Sequence, residues 1–338
     1  MTPHKILIIQ LRRIGDILLT TPAIRALRQN FPKVQLDFLA EPPGNELLAH
    51  NPYLNQVLTY ESNKPLRWLS RIRSEKYDWI IDFLGNPRSA LLTAFSKASL
   101  RAGPSHVLHR WAYNHLLRLP SQTHYVAQEK LILLEQLGVK YQALNSFEKP
   151  YSLDFPLSQS SQDWASQALP SQKWIGFAPH SRKITRQWPP EHYVGLGKKI
   201  IQETDHHILV LWGPEEKETA QKIVSGIGSR AILSPPTQAL TQLGSLLLHV
   251  QILITNCNGP KHMAVALKVP TITLHGSSDP KAWNPPNSSE HAVIRREELS
   301  CIGCRKNTCP FQLQCLKELN PHLVFEDINK MLQFGKTG

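Results

Sequence analysis

Thr255-Asn256-Cys257-Asn258-Gly259-Pro260-Lys261-His262-Met263-Ala264 is the stretch from which the fold of this chain can be read. The short apolar run Gln251-Ile252-Leu253-Ile254 precedes it, and Met263-Ala264-Val265-Ala266-Leu267 follows with helical spacing. That order is a strand, a tight turn and a helix start. Asn258 is a favoured N-cap, Gly259 allows close backbone approach, and Pro260 suits a first helical turn. A turn of this kind presents backbone N–H groups at the positive end of a helix dipole, which favours an anion. Leu274-His275-Gly276-Ser277-Ser278-Asp279-Pro280 repeats the pattern of a strand running into a polar turn. Together the two turns suggest a site for a phosphorylated ligand.

Working outward, the same rhythm recurs in both halves of the 338 residues. Lys5–Gln10 reads as a buried parallel strand, followed by a loop at Leu11–Asp16 and an amphipathic helix over 17–30. Further strands are expected at 35–40, 56–60, 79–83 and 101–103, with helical spacing between them, as at Leu66, Leu69 and Ile72. A Ser/Gln/Pro-rich passage over 144–172 reads as containing a link, and strands resume at 174–178, 208–211, 231–233, 252–255 and 271–274. Alternating strands and helices predict an α/β chain of two doubly wound, mainly parallel sheets, with ligands at the carboxyl ends of the strands. The boundaries expected are 1–158 for the first domain, 172–320 for the second, and 321–338 for a helix packing back on the first.

Composition limits the partners. Apolar residues make up 41%, enough for packed interiors, and the formal charge is +12. Residues 1–150 hold 19 Lys and Arg against 11 Asp and Glu, a surplus of eight of those twelve charges. A basic first half favours nucleic acid, acidic lipid headgroups or a phosphorylated glycan. Aromatic and basic residues are not interleaved as in single-strand binders, which argues against nucleic acid. No apolar run approaches the roughly 18 residues of a membrane span, and Ile6-Leu7-Ile8-Ile9 is too short for a signal core. A cytoplasmic protein is expected, one that can rest on a membrane surface.

Several residues stand where chemistry would be done. Asp16 follows the first strand and reads either as a general base or as a helix cap. Gln10–Asp16 contains one glycine, so the G-x-G-x-x-G pattern of dinucleotide binding is missing. The loop from Ala178 to Pro189 gathers Ser181, Thr185 and three cations. Arg182 and Lys183 read as solvated, whereas Arg186 lies beside Trp188-Pro189, and a packed tryptophan would hold it still for bidentate phosphate contact. In Trp212-Gly213-Pro214-Glu215-Glu216 a carboxylate suits ribose hydroxyls or merely opens a helix. His262 reads as a phosphate donor or as a structural histidine. Cys301, Cys304, Cys309 and Cys315, spaced x2, x4 and x5, have the count for tetrahedral zinc but a compact, irregular spacing, so reduced structural thiols are the stronger reading.

In order and spacing these pieces resemble the heptosyltransferase family of lipopolysaccharide synthesis, glycosyltransferase family nine. The resemblance rests on Arg13-Ile14-Gly15-Asp16-Ile17-Leu18 with Thr21-Pro22-Ala23, and on Tyr77-Asp78-Trp79-Ile80-Ile81-Asp82 with Gly85-Asn86 and Arg88-Ser89. It continues through Thr185-Arg186-Gln187-Trp188-Pro189, Trp212-Gly213, Asn256, Gly259-Pro260-Lys261-His262, and Gly276 to Pro280 with Trp283. It implies a GT-B fold, two Rossmann-like domains facing across a cleft, with the acceptor on the first and the nucleotide sugar on the second. It implies inverting transfer from ADP-heptose to the lipopolysaccharide inner core, with no cofactor and no required metal. Asp16 becomes the catalytic base, and Arg13, Asn86 and Arg88 acceptor-side residues. Ser181, Thr185, Arg186, Trp212, Glu215, Asn256, Cys257, Asn258, Gly259, Pro260 and His262 become donor-side residues. The acceptor is a phosphorylated lipid A–core at the cytoplasmic face of the inner membrane. Arg67, Arg71, Arg73, Lys76 and the stretch from His106 to Arg118 are the basic surfaces that would meet it. The chain departs from the family pattern in having Cys257 for an Asp, Arg186 for a Lys, and His275 and Ser277-Ser278 for Phe and Pro-Thr. These departures keep open a different nucleotide sugar or impaired catalysis.

Overall fold

Lys5-Ile6-Leu7-Ile8-Ile9 is apolar on both faces, as a strand covered by helices on either side must be. It forms β1 (Lys5–Ile9) near the middle of a sheet in the computed structural model, which describes residues 2–142 and 149–334. The chain divides into two units, Met1–Pro156 and Leu157–Gly338.

In the first unit β1 is joined by β2 (Gln35–Ala40), β3 (Gln56–Thr59), β4 (Trp79–Asp82), β5 (Leu100–Pro104) and β6 (His115–Leu117). All pair in parallel, in the order β3-β2-β1-β4-β5-β6. Its helices are α1 (Ile14–Leu18), α2 (Thr21–Asn30), α3 (Pro65–Ser74), α4 (Pro87–Phe95) and α5 (Val126–Glu135). The single helix expected over 17–30 is two. Pro22 has no N–H to give the Leu18 carbonyl, and the Thr21 hydroxyl donates to that carbonyl instead, at 2.7 Å. Arg25, buried in α2, donates to both carboxylate oxygens of Asp154 at 2.7 Å and to the carbonyls of Pro150 and Ser152. That fork ties the segment after the undescribed residues 143–148 to the first unit.

The second unit opens with α6 (Gln159–Ala168), so part of the passage read as a link is itself helical and packs on a later helix. There follow β7 (Trp174–Ala178), α7 (Pro190–Glu203), β8 (His207–Val210), α8 (Lys217–Ile227), β9 (Ala231–Leu233) and α9 (Leu240–Leu247). Then come β10 (Val250–Asn256), α10 (Gly259–Ala266), β11 (Thr271–Leu274), α11 (Pro280–Trp283), β12 (His291–Ile294), α12 (Gln314–Lys317) and α13 (Pro321–Phe334). The sheet order is β12-β11-β10-β7-β8-β9, again all parallel. Counted from its own first strand this is the same 3-2-1-4-5-6 order as in the first unit. The last helix, expected to pack back on the first domain, has its apolar face within the second unit. Val324, Phe325 and Ile328 are buried in the second unit's core, against Trp188, Leu196 and Ile200 among others, so the apolar face is used there. Residues 335–338 lie outside the described part. No helix among the described residues is long and apolar enough to cross a membrane.

Candidate active site

A doubly wound sheet opens a crevice where its strand order reverses, outside the carboxyl ends of the two strands involved. In the first unit those strands are β1 and β4. The turn after β1 carries Asp16 at the third position of α1, and its carboxylate accepts the Arg13 N–H at 3.2 Å. Asp16 is therefore a cap by geometry, yet it is only half-buried, and Arg13 itself is exposed. Beneath the turn lies Lys130 of α5, whose ammonium donates to the Asp16 carbonyl at 2.8 Å, to Gln10 Oε1 at 3.2 Å and to the Thr20 hydroxyl. Burial pulls the pKa of Lys130 down to about 8, against the opposing pull of Asp16 and Glu129. The turn after β4 is organised by buried Asp82, which accepts N–H bonds from Leu84 and Gly85 and the Tyr113 hydroxyl at 2.7 Å. Asn86 caps α4, accepting the Ser89 N–H at 2.9 Å, while Arg88 pairs with Glu41 at 2.5 Å. Of the three acceptor-side candidates, Arg13 is exposed, Asn86 is engaged as a cap and Arg88 is already paired.

In the second unit the reversal falls between β7 and β10. Two asparagines stitch the turns after these strands together. Asn256, fully buried, donates to the Pro179 carbonyl at 2.6 Å and accepts the Trp188 N–H at 3.0 Å. Asn258 accepts the Lys261 N–H at 3.1 Å and donates to the carbonyls of Ala178 and His180 at 3.2 and 2.8 Å. These side chains are spent on the scaffold. Pro260 has no N–H and that of Lys261 is capped, so the turn offers an anion fewer donors than the sequence suggested. Trp188 is wholly buried and donates from its indole to the Leu319 carbonyl at 3.1 Å, which fixes the loop before it.

On that loop two groups lack partners. Arg186, half-buried at the end of the 3-10 turn Ile184–Arg186, has a buried Nε with no acceptor. His180 has both ring nitrogens buried without a hydrogen-bond partner, and Nδ1 lies 3.5 Å from the Glu216 carboxylate. Burial lowers the pKa of His180 while Glu216 raises it. Buried polar atoms left unpaired need a reason, and an anionic ligand satisfies such donors. Ser181 is half-buried on the same loop. Glu216 also accepts the Gly213 N–H at 2.8 Å, bracing the turn after β8; Glu215 is exposed at φ 66°. The indole of Trp212 donates to the Ser234 carbonyl at 2.9 Å.

A family model described as glycosyltransferase family 9 (heptosyltransferase) matches residues 66–314. The chain belongs to glycosyltransferase family 9. Lipopolysaccharide heptosyltransferase 1 of Pseudomonas aeruginosa is 24% identical over 368 residues, covering 98% of this chain and 99% of that relative. Among solved structures, a family 9 glycosyl transferase from Veillonella parvula superposes with a TM-score of 0.82 at 22% identity, over 98% of this chain and 97% of that one. The Escherichia coli ADP-heptose lps heptosyltransferase II gives 0.79 at 21% identity, over 98% and 100%. The GT-B fold expected from the resemblance is the fold found.

Within this family 9 chain some expected contacts lie away from any opening. His262 is 3% exposed, edge-on to Trp283 with centroids 6.1 Å apart, and its pKa is driven well below the ordinary value by burial and by Lys261. As a neutral, buried ring it cannot present a charge to a phosphate. Lys261 is fully buried and donates to the Trp283 carbonyl, with burial lowering its pKa to about 8. Cys257, where the family pattern has a carboxylate, is 7% exposed, and a thiolate there would favour the Lys261 charge. Thr185 is buried, donating to the Lys306 carbonyl and accepting from Ser277, both at 3.0 Å. That bond, with Gly303 N–H to Gly276 and Arg305 N–H to Ser277, laces the cysteine-bearing segment to the turn after β11. The four thiols are free, and burial together with the other three raises the pKa of Cys315 to about 11. Among the described residues no three His, Cys, Asp or Glu are arranged to hold a metal ion. Sequence reasoning passed over Lys130, although its place on the Ala127-Leu131-Leu134 stripe of α5 was a readable signal.

Proposed function

We propose that this chain is an inverting, metal-independent heptosyltransferase that moves heptose from ADP-heptose to the phosphorylated inner core of lipopolysaccharide. Its relatives carry that name, and a related E. coli structure, heptosyltransferase WaaC at TM-score 0.73 and 20% identity, holds ADP-2-deoxy-2-fluoro heptose. The observation that carries the reading is a pair of half-buried side chains at the second switch point, Arg186 with its buried Nε and His180 with its two buried ring nitrogens, atoms that have no hydrogen-bond partner. In this reading the guanidinium of Arg186 takes phosphate oxygens and stabilises the charge that gathers on departing ADP. The Gly259 N–H at the start of α10 adds to it. Asp16 accepts the proton of the acceptor hydroxyl as that oxygen attacks the anomeric carbon on the face opposite the diphosphate. A carboxylate is a weak base toward an alcohol, so the proton moves late, once the oxygen has become acidic. Arg13 and the Asn86–Arg88 turn line the acceptor side, and the acceptor is lipid-anchored at the cytoplasmic face of the inner membrane.

Two substitutions test this. Asp16→Asn keeps an oxygen to accept the Arg13 N–H, so the fold survives, and kcat should drop about 10²- to 10⁴-fold with ADP affinity intact. Full turnover would return Asp16 to a capping role. Arg186→Ala should weaken ADP binding in titration calorimetry, and unchanged affinity would dismiss its phosphate contact. Cys257 favours one second reading, a nucleotide sugar other than ADP-heptose, because the site lacks a carboxylate and holds a buried lysine behind the thiol. Calorimetry with ADP-heptose against UDP- and GDP-sugars separates the two.

A further inference from the structure

One part of the first unit is unlike the rest of the chain. Residues 83–128 contain no Asp or Glu, while holding five Lys or Arg and four His. Among the described residues, six of the eleven exposed large hydrophobic ones fall within 91–119. Leu108 is 91% exposed and Trp111 63%, on the segment between β5 and β6, and Phe95 and Leu91 of α4 are 49% and 41% exposed. Burying four such side chains would remove an amount of apolar surface that soluble chains rarely leave in one place.

Packing makes these residues neighbours. Ala90 and Ala94, on one stripe of α4, pack with Ala112, Tyr113 and Val107 of the β5–β6 segment. Leu91 and Phe95 sit one position further round the same helix, four residues apart, so their exposed stripe borders that segment. A Cβ on Gly85 would come within 2.9 Å of Val107, which places the start of the segment against the turn after β4. Leu108 therefore stands near the carboxyl rim of the first sheet, where Asn86 and the Asp16 turn also lie. Lys97, Arg110 and Arg118 are exposed within the acid-free stretch, and none forms an ion pair among the described residues. Arg101, by contrast, is engaged with the Ala98 and Ala112 carbonyls.

The geometry points to a docking surface for an anionic phospholipid bilayer. Leu108, Trp111, Phe95 and Leu91 enter the interfacial layer, and Lys97, Arg110 and Arg118 meet the headgroup phosphates. Two weak signals, apolar insertion and a basic cluster, are what reversible peripheral binding needs. Tryptophan at a polar–apolar boundary fits the same role. A protein partner would need acidic complementarity of definite shape, whereas this surface offers exposed, unpaired cations around exposed apolar side chains. The inference deepens the lipid-anchored-acceptor reading above, but its test involves no turnover, so the two fail separately.

The full-length chain is mixed with vesicles of phosphatidylcholine alone or with 30% phosphatidylglycerol, and floated on a gradient. Binding is expected to the anionic vesicles and to fall at least tenfold on neutral ones or in 0.5 M salt. Leu108→Ser with Trp111→Ser should lower partitioning at least tenfold, and Arg110→Gln with Arg118→Gln should do so at low salt, with ADP affinity unchanged in all of them as evidence of folding. Wild-type protein that ignores anionic vesicles, or a serine variant that binds as well as wild type, overturns the proposal. So does sedimentation showing a dimer that the same serine substitutions dissolve, since a second copy would then own this face.

Discussion

Replacing Lys130 by methionine removes a buried ammonium while keeping most of the volume of its stem. In the native chain that ammonium serves Gln10, the Asp16 carbonyl and Thr20, and burial lowers its pKa from 10.5 to about 8. In the unfolded chain the lysine keeps its proton to about pH 10.4. Between these values the unfolded state binds more protons than the folded one, so stability rises with pH across the window. Integrated from pH 7 to 9.5, this single group raises stability by about 2 kcal/mol. Lys261 adds a comparable rise, its pKa also being lowered to about 8, but it is present in both proteins and drops out of the comparison. Urea unfolding of wild type and Lys130→Met at half-unit steps over that range should show the variant rising by about 2 kcal/mol less. The variant should also lose kcat while retaining ADP affinity, because the turn that carries Asp16 loses its prop. Parallel stability curves would refute the reasoning, since they would mean that the lysine keeps an ordinary proton affinity and is not held dry under the turn.

The same linkage makes acid destabilise the second unit. Burial holds His291 down to about 4 and His275 down to about 3, so both rings stay neutral while an unfolded chain takes up protons below about pH 6.5. Stability attributable to each should fall by about 3 kcal/mol between pH 7 and pH 4, and His291→Asn should shrink the measured fall by that amount in urea titrations. Trp188→Ala should cost about 3–5 kcal/mol by thermal or urea unfolding, from the lost volume and the stranded Leu319 carbonyl. Trp188→Phe keeps an aromatic ring but not the indole N–H, so it should recover the part of that loss due to volume and leave the Leu319 carbonyl stranded. Both variants should weaken ADP binding, because Arg186 depends on the loop that Trp188 anchors; wild-type affinity in the alanine variant would contradict that dependence.

Central strands were legible because their sequences are apolar on both faces, which few other structures permit. β6 and β12 escaped: each is an edge strand of three or four residues, His115–Leu117 and His291–Ile294, too short to show a period. The break between α1 and α2 was also there to be read, in Pro22, but a continuous apolar stripe concealed it. At the candidate site, several residues read as ligand contacts carry structural hydrogen bonds. Asn256 and Asn258 look like ligand contacts and are instead the ties between two loops, because a short amide that reaches several backbone groups is more valuable as a brace. Glu215 and Glu216 cannot be told apart in sequence; the left-handed backbone at Glu215 decides which carboxylate returns to Gly213. The stripe of α5 marks Lys130 as buried, but its partners, more than a hundred residues away, are not legible, and His180 declares itself only through burial beside Glu216.

The repeated strand order carries an evolutionary corollary. Each half grows its specificity turns from its own innermost strands, and those turns are braced by side chains of that same half. On the proposed reading, lineages can therefore retune the donor sugar through the loops of β7 and β10 without redrawing the β1 and β4 loops, and the reverse holds equally. Cys257 has the look of such a local experiment. Hybrids that graft one half of this chain onto the other half of a relative should inherit the two preferences from separate parents.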